Sequence, residues 1–82
     1  MTGRKPADEA PIPNRIAELR HKAGLSRVEL AERVGVNPQT IGYLERGEYN
    51  PSLALAFRLA ALFGLPVERI FIREAARRDE RT

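Results

Sequence analysis

From residue 14 to residue 72 the apolar positions recur every three or four residues, and no stretch keeps the two-residue alternation of a half-buried strand. The pattern predicts an all-α fold. Ile16, Leu19 and Ala23, with Ile12 ahead of them, form one stripe and predict a first helix over about Asn14 to Ala23, closed by Gly24. The second helix has the clearest start. Ser26 is an N-cap with Glu29 at N3, a capping box, and Leu25 and Leu30 stand where a hydrophobic staple closes. Its inward face is Leu30, Ala31 and Val34, and Gly35 stops it. Asn37 caps the third helix, and Pro38 suits N1, where its missing N–H costs nothing. Ile41, Leu44 and Glu45 fall on its inner side, Gln39, Tyr43 and Arg46 on the other, and Gly47 ends it. Ser52 caps a fourth helix with Leu55, Ala56, Leu59, Ala60 and Phe63 facing inward, up to Gly64. A short fifth helix is expected over about Pro66 to Ile72, contributing Val67, Ile70 and Phe71; Leu65 offers its start no side-chain acceptor.

Only Gly35 and Val36 separate the second helix from the cap of the third, which is the helix-turn-helix plan. Three prolines and Gly3 mark residues 1–13 as a flexible arm. Residues 14–72 make the domain, and the charged tail 73–82 is expected to fray. A chain of 82 residues is one domain, burying about 60 % of its unfolded surface.

Composition narrows the function. The absence of cysteine excludes disulfides and thiolate metal sites. The longest apolar stretch, Leu53 to Val67, is broken by Arg58, Gly64 and Pro66 and does not span a membrane. The N-terminus lacks the apolar run of a secretory signal, so a soluble, cytoplasmic protein is expected. One histidine, no glycine-rich phosphate loop and no paired carboxylates leave no basis for an enzyme, a metal or a cofactor. His21 reads as an exposed residue late in the first helix, and Glu45 as a structural partner for Arg20.

The net charge is +3, divided as 0 over residues 1–12, +2 over 13–72 and +1 over 73–82. That excludes a histone-like blanket for phosphates. A nucleic-acid binder of this balance works through a few placed cations, supplied by two subunits.

Leu25-Ser26, Glu29-Leu30-Ala31, Val34-Gly35-Val36, Gln39-Thr40-Ile41, Leu44-Glu45-Arg46-Gly47 and Pro51-Ser52-Leu53 stand in a fixed order and spacing. Through these words Ile16 to Phe71 resembles the phage-repressor-like, XRE-type (Cro/C1-type) helix-turn-helix regulators, in their compact single-domain form. The resemblance implies a five-helix DNA-binding domain whose recognition helix, about residues 38–46, lies in the major groove. It implies base readout by Asn37, Pro38, Gln39, Thr40 and Tyr43. Gln39 is the strongest reader, because its amide can pair in bidentate fashion with adenine. Phosphate contacts fall to Ser26, Arg27 and Arg46. The implied partner is double-stranded DNA with a palindromic operator, bound by a homodimer acting as a small repressor. Phe57, Val67, Ile70, Phe71 and Ile72 are the expected dimer surface. The alternative is an antitoxin or protein-partner-binding regulator on the same fold.

Three positions depart from the pattern. Arg27 stands where glutamine is frequent, and Pro38 replaces a polar reader, leaving apolar contact there. Gly42 interrupts a helix at a cost of roughly 0.5–1 kcal/mol relative to alanine. It marks either a close approach of the DNA backbone or an exposed position under little demand.

Overall fold

The structure, a computed structural model, describes residues 11–72. The expected arm lies outside the described residues except for Pro11 to Pro13, and the expected tail lies outside them entirely. Four α-helices follow in order: α1 (Ile16–Lys22), α2 (Arg27–Val34), α3 (Pro38–Glu45) and α4 (Leu53–Phe63). A single 3₁₀ turn, Val67–Arg69, stands where a fifth helix was expected. No helix among the described residues is long and apolar enough to cross a membrane.

The caps read from the chain form as hydrogen bonds. The Ser26 hydroxyl accepts from the Glu29 N–H at 3.0 Å, and the Glu29 carboxylate accepts from the Ser26 N–H at 2.8 Å. Asn37 Oδ1 accepts from the Gln39 N–H, and Ser52 Oγ from the Leu55 N–H. Gly35 ends α2 with φ 76°, a left-handed conformation that a side chain rarely adopts. The short α2–α3 turn therefore depends on that glycine. Just before it, the Val34 carbonyl accepts from Arg58 Nε on α4 at 2.9 Å.

Two boundaries differ from the apolar pattern. The first helix starts at Ile16, not Asn14, because the Asn14 side chain makes one local and one tertiary hydrogen bond at that start. Its Oδ1 accepts from the Ile16 N–H at 3.0 Å, and its Nδ2 donates to the Leu44 carbonyl at 2.7 Å, tying the start of α1 to the end of α3. Ile12, ahead of that start, is exposed. The fifth helix fails to extend because its backbone is used elsewhere. Arg15 N–H donates to the Ile70 carbonyl, Ile72 N–H donates to the Pro13 carbonyl, and Asn14 and Phe71 form an antiparallel bridge. Periodicity cannot distinguish a last helical turn from a short extended closure with the same inward residues.

That closure corrects two of the dimer-surface assignments. Ile70 is fully buried and Phe71 nearly so, both within the core formed by Ile16, Leu19, Leu30, Ala31, Val34, Ile41, Leu44, Leu55, Ala56 and Leu59. Val67 packs partly against the same core. Burying side chains of this size contributes about 1.5–3 kcal/mol each, so Ile70 and Phe71 hold the domain together. Phe57 and Ile72 remain exposed, as do Tyr49 and, unforeseen from the pattern, Leu53.

Candidate nucleic-acid interface

α2 and α3 pack together through Leu30, Ala31 and Val34 on one side and Ile41 and Leu44 on the other, leaving the start of α2 and the outer face of α3 side by side. Between them lies a shallow open hollow of about 370 Å³, lined by Arg27, Pro38, Gln39, Gly42, Tyr43 and Arg46. Five of these six were singled out from sequence as base or phosphate contacts. Gly42 was noted only as a departure.

Gln39 and Tyr43 are exposed one turn apart on α3, with Thr40 half-buried beside them. Asn37 is exposed, but its Oδ1 is committed to the helix cap. Ser26 is likewise committed, since its N–H is held by Glu29 and its hydroxyl oxygen by the Glu29 N–H. Hydrogen bonding from the Ser26 backbone N–H, and after it from the Ser26 side chain, holds the Glu29 carboxyl below the usual carboxylate range. Neither Asn37 nor Ser26 lines the hollow.

Arg46 reaches the hollow by folding back along α3. Its guanidinium stands 5.1 Å from the centre of the Tyr43 ring, a cation–π geometry, and its Nε is 3.3 Å from Glu48 Oε2. Its Nη1 lies 3.3 Å from the place a Cβ on Gly42 would occupy. Gly42 is therefore buried beneath Arg46, not exposed as one reading of the sequence allowed. The four-residue spacing of glycine and arginine on one helix face is the signal for this contact.

Behind the hollow sits a charged triad. Arg20 on α1 is buried, donating from Nε to Glu45 Oε2 at 2.6 Å, from Nη2 to Glu45 Oε1 at 3.3 Å, and from Nη1 to the Leu25 carbonyl at 3.0 Å. Arg27 Nε donates to the same Glu45 Oε1 at 2.9 Å. Burial pushes the Glu45 carboxyl up, but hydrogen bonds and charge from Arg20 and then Arg27 outweigh it and hold the group below the usual range. The Arg20–Glu45 pairing expected from the sequence is present. Its extension to Arg27 crosses 18 residues of chain and leaves no periodic trace.

The remaining sequence-selected residues, Phe57, Val67, Ile70, Phe71 and Ile72, lie on α4 and the C-terminal closure and not around the hollow.

A model of the helix-turn-helix family HTH_3 matches residues 16–70. An uncharacterized HTH-type transcriptional regulator of Archaeoglobus fulgidus is 50 % identical over 58 residues, covering 71 % of this chain and 83 % of that protein. The immunity repressor protein of Bacillus phage phi105 is 30 % identical over 69 residues, 84 % of this chain and 48 % of the repressor. The crystal structure of the restriction-modification controller protein C.AhdI from Aeromonas hydrophila superposes with a TM-score of 0.62 at 34 % identity, covering 67 % of this chain and 83 % of that one.

Proposed function

The chain belongs to the HTH_3 helix-turn-helix family, and from that premise we infer how it works as a sequence-specific DNA-binding transcriptional regulator. The observation that carries the reading is the hollow, where exposed amide, phenol and guanidinium groups converge between the start of α2 and the outer face of α3. α3 enters the major groove, a groove wide enough for one helix. Gln39 reads a base edge through its amide, with Thr40 and Tyr43 beside it and Pro38 offering apolar contact. Arg27 and Arg46 bind backbone phosphates on either side, which fixes register without carrying sequence information. The caps of α2 and α3 already engage Ser26 Oγ and Asn37 Oδ1 as acceptors, so what Asn37 offers DNA first is its amide N–H₂ donor.

One domain supplies few cations, so the regulator acts as a homodimer on a palindromic operator, its recognition helices about 34–36 Å apart in successive grooves. The exposed apolar residues Leu53 and Phe57, one turn apart on α4, and Ile72 supply the dimer surface. The effect on transcription is repression, and the site of action is the cytoplasmic nucleoid.

Selection of bound sequences from a random duplex pool tests the reading. The expected product is a pair of short inverted half-sites one helical turn apart. Equal retention of every duplex would sink it.

A further inference from the structure

Arg27 combines an exposed guanidinium with a buried anchor. Its side chain is 54 % exposed, whereas the Glu45 carboxylate it touches is 4 % exposed. Glu45 in turn is gripped from the interior by Arg20, whose side chain is 8 % exposed and whose third contact is the Leu25 carbonyl, immediately before the α2 cap. An arginine on a surface helix ordinarily samples many rotamers, and a contact must overcome that freedom before it contributes. Here the Nε donor is fixed at 2.9 Å from Glu45, and the two Nη groups have no partner among the described residues. Arg27 is one of the residues that line the hollow.

We propose that Glu45 is a positioning residue for DNA: it holds Arg27 at the hollow's rim with both terminal nitrogens turned to a backbone phosphate. The proposal rests on the DNA-binding reading above and adds to it the residue that orders its phosphate clamp. A carboxylate near a phosphate path is ordinarily repulsive. Arg20, placed behind it, neutralises that charge, so the triad presents a net single positive charge to the strand, the same charge as Arg27 alone. What Glu45 adds is geometry. A fixed guanidinium fork meets phosphate oxygens in one orientation and holds the duplex in one register, which separates an operator from a mismatched site.

The test joins nitrogen relaxation at arginine Nε to binding of the selected operator duplex. In the wild-type protein Arg27 Nε is expected to be as ordered as the backbone, while Arg33, exposed on the same helix, is mobile. The double variant R20M/E45M replaces the buried pair by apolar side chains, a change that folds commonly tolerate. It should release Arg27 and weaken operator binding about three- to ten-fold, a coupling ordinary for neighbouring groups. In an Arg27→Gln background the same double change should cost nothing further. If R20M/E45M does not fold, Arg27→Lys takes its place. The lysine keeps the charge but lacks the fork, and a loss of similar size is expected. An Arg27 Nε as mobile as Arg33 in the wild type overturns the proposal. So does equal weakening with and without Arg27, or wild-type binding by Arg27→Lys. A wild-type protein that binds no duplex instead removes the DNA reading, and the proposal with it.

Discussion

The guanidinium of Arg46 lies across Gly42, with Nη1 3.3 Å from the position a Cβ would take. A glycine inside a helix is usually a defect. Here it clears a path along α3 that brings Arg46 against Tyr43 and into the hollow. Gly42 lies within the helix and its φ is not positive, so alanine meets no backbone strain there. Gly42→Ala is expected to stabilise the domain by up to about 1 kcal/mol, raising Tm by several degrees. Arg46 must then shift by a few tenths of an ångström, and DNA binding should weaken. Thermal unfolding and a mobility shift on the same variant check both halves. A lowered Tm contradicts the packing described for Gly42.

The two arginines on Glu45 differ in what they contribute to folding. Removing the Glu45 carboxylate strands a buried Arg20, and breaking such a pair from one side costs about 3–5 kcal/mol. That is a large share of the roughly 5–15 kcal/mol that holds a small domain together. Glu45→Ala is therefore expected to unfold the protein or leave it barely folded. Arg27→Ala removes a half-exposed partner and should cost no more than about 1 kcal/mol. Denaturant midpoints separate the two.

Acid should act through the same triad. The Glu45 carboxyl is depressed in the folded chain, so its stabilisation is fully present above the unfolded value, about 4.3, and is lost as pH falls through the folded value. Glu18, held down by its hydrogen bond and charge pairing with Arg15, and Glu29, held down by Ser26, shift in the same direction. Tm is expected to hold between about pH 7 and 5 and to fall below about pH 4. A Tm that rises on acidification contradicts the assignment.

Ile70 and Phe57 were grouped together as dimer residues, and the structure separates them. Ile70→Ala should empty a filled site in the core and cost about 2–5 kcal/mol. Phe57→Ser removes an exposed ring and should leave the fold intact while lowering dimer content, read by sedimentation at fixed protein concentration.

The helices were legible because their caps are local. Ser26 with Glu29, Asn37 with Pro38, and Ser52 each announce a start within four residues, and the inward faces of α2, α3 and α4 followed from spacing. The end of the chain was not legible in this way. Ile70 and Phe71 have the spacing of a helix turn, but their conformation is set by pairing with Pro13 and Arg15, more than 50 residues away. The outer face of α3, where Gln39 and Tyr43 are exposed, followed from spacing, and the role proposed for it followed from the family resemblance. The support behind that face followed from neither. Arg27 meets Glu45 only because α2 and α3 pack, and Gly42 has a role only once the path of Arg46 is seen.

The central claim is that Gln39 reads bases while Arg46 holds phosphate, and equilibrium binding over a salt series tests it most directly. Wild type, Gln39→Ala and Arg46→Ala are each titrated on the selected operator and on a scrambled duplex. Gln39→Ala should lose about 1–3 kcal/mol on the operator alone, with its salt slope unchanged. Arg46→Ala should weaken both duplexes alike and reduce the slope of log K against log salt by about 1 per site. The reverse assignment, or equal losses on both duplexes for Gln39→Ala, contradicts the account.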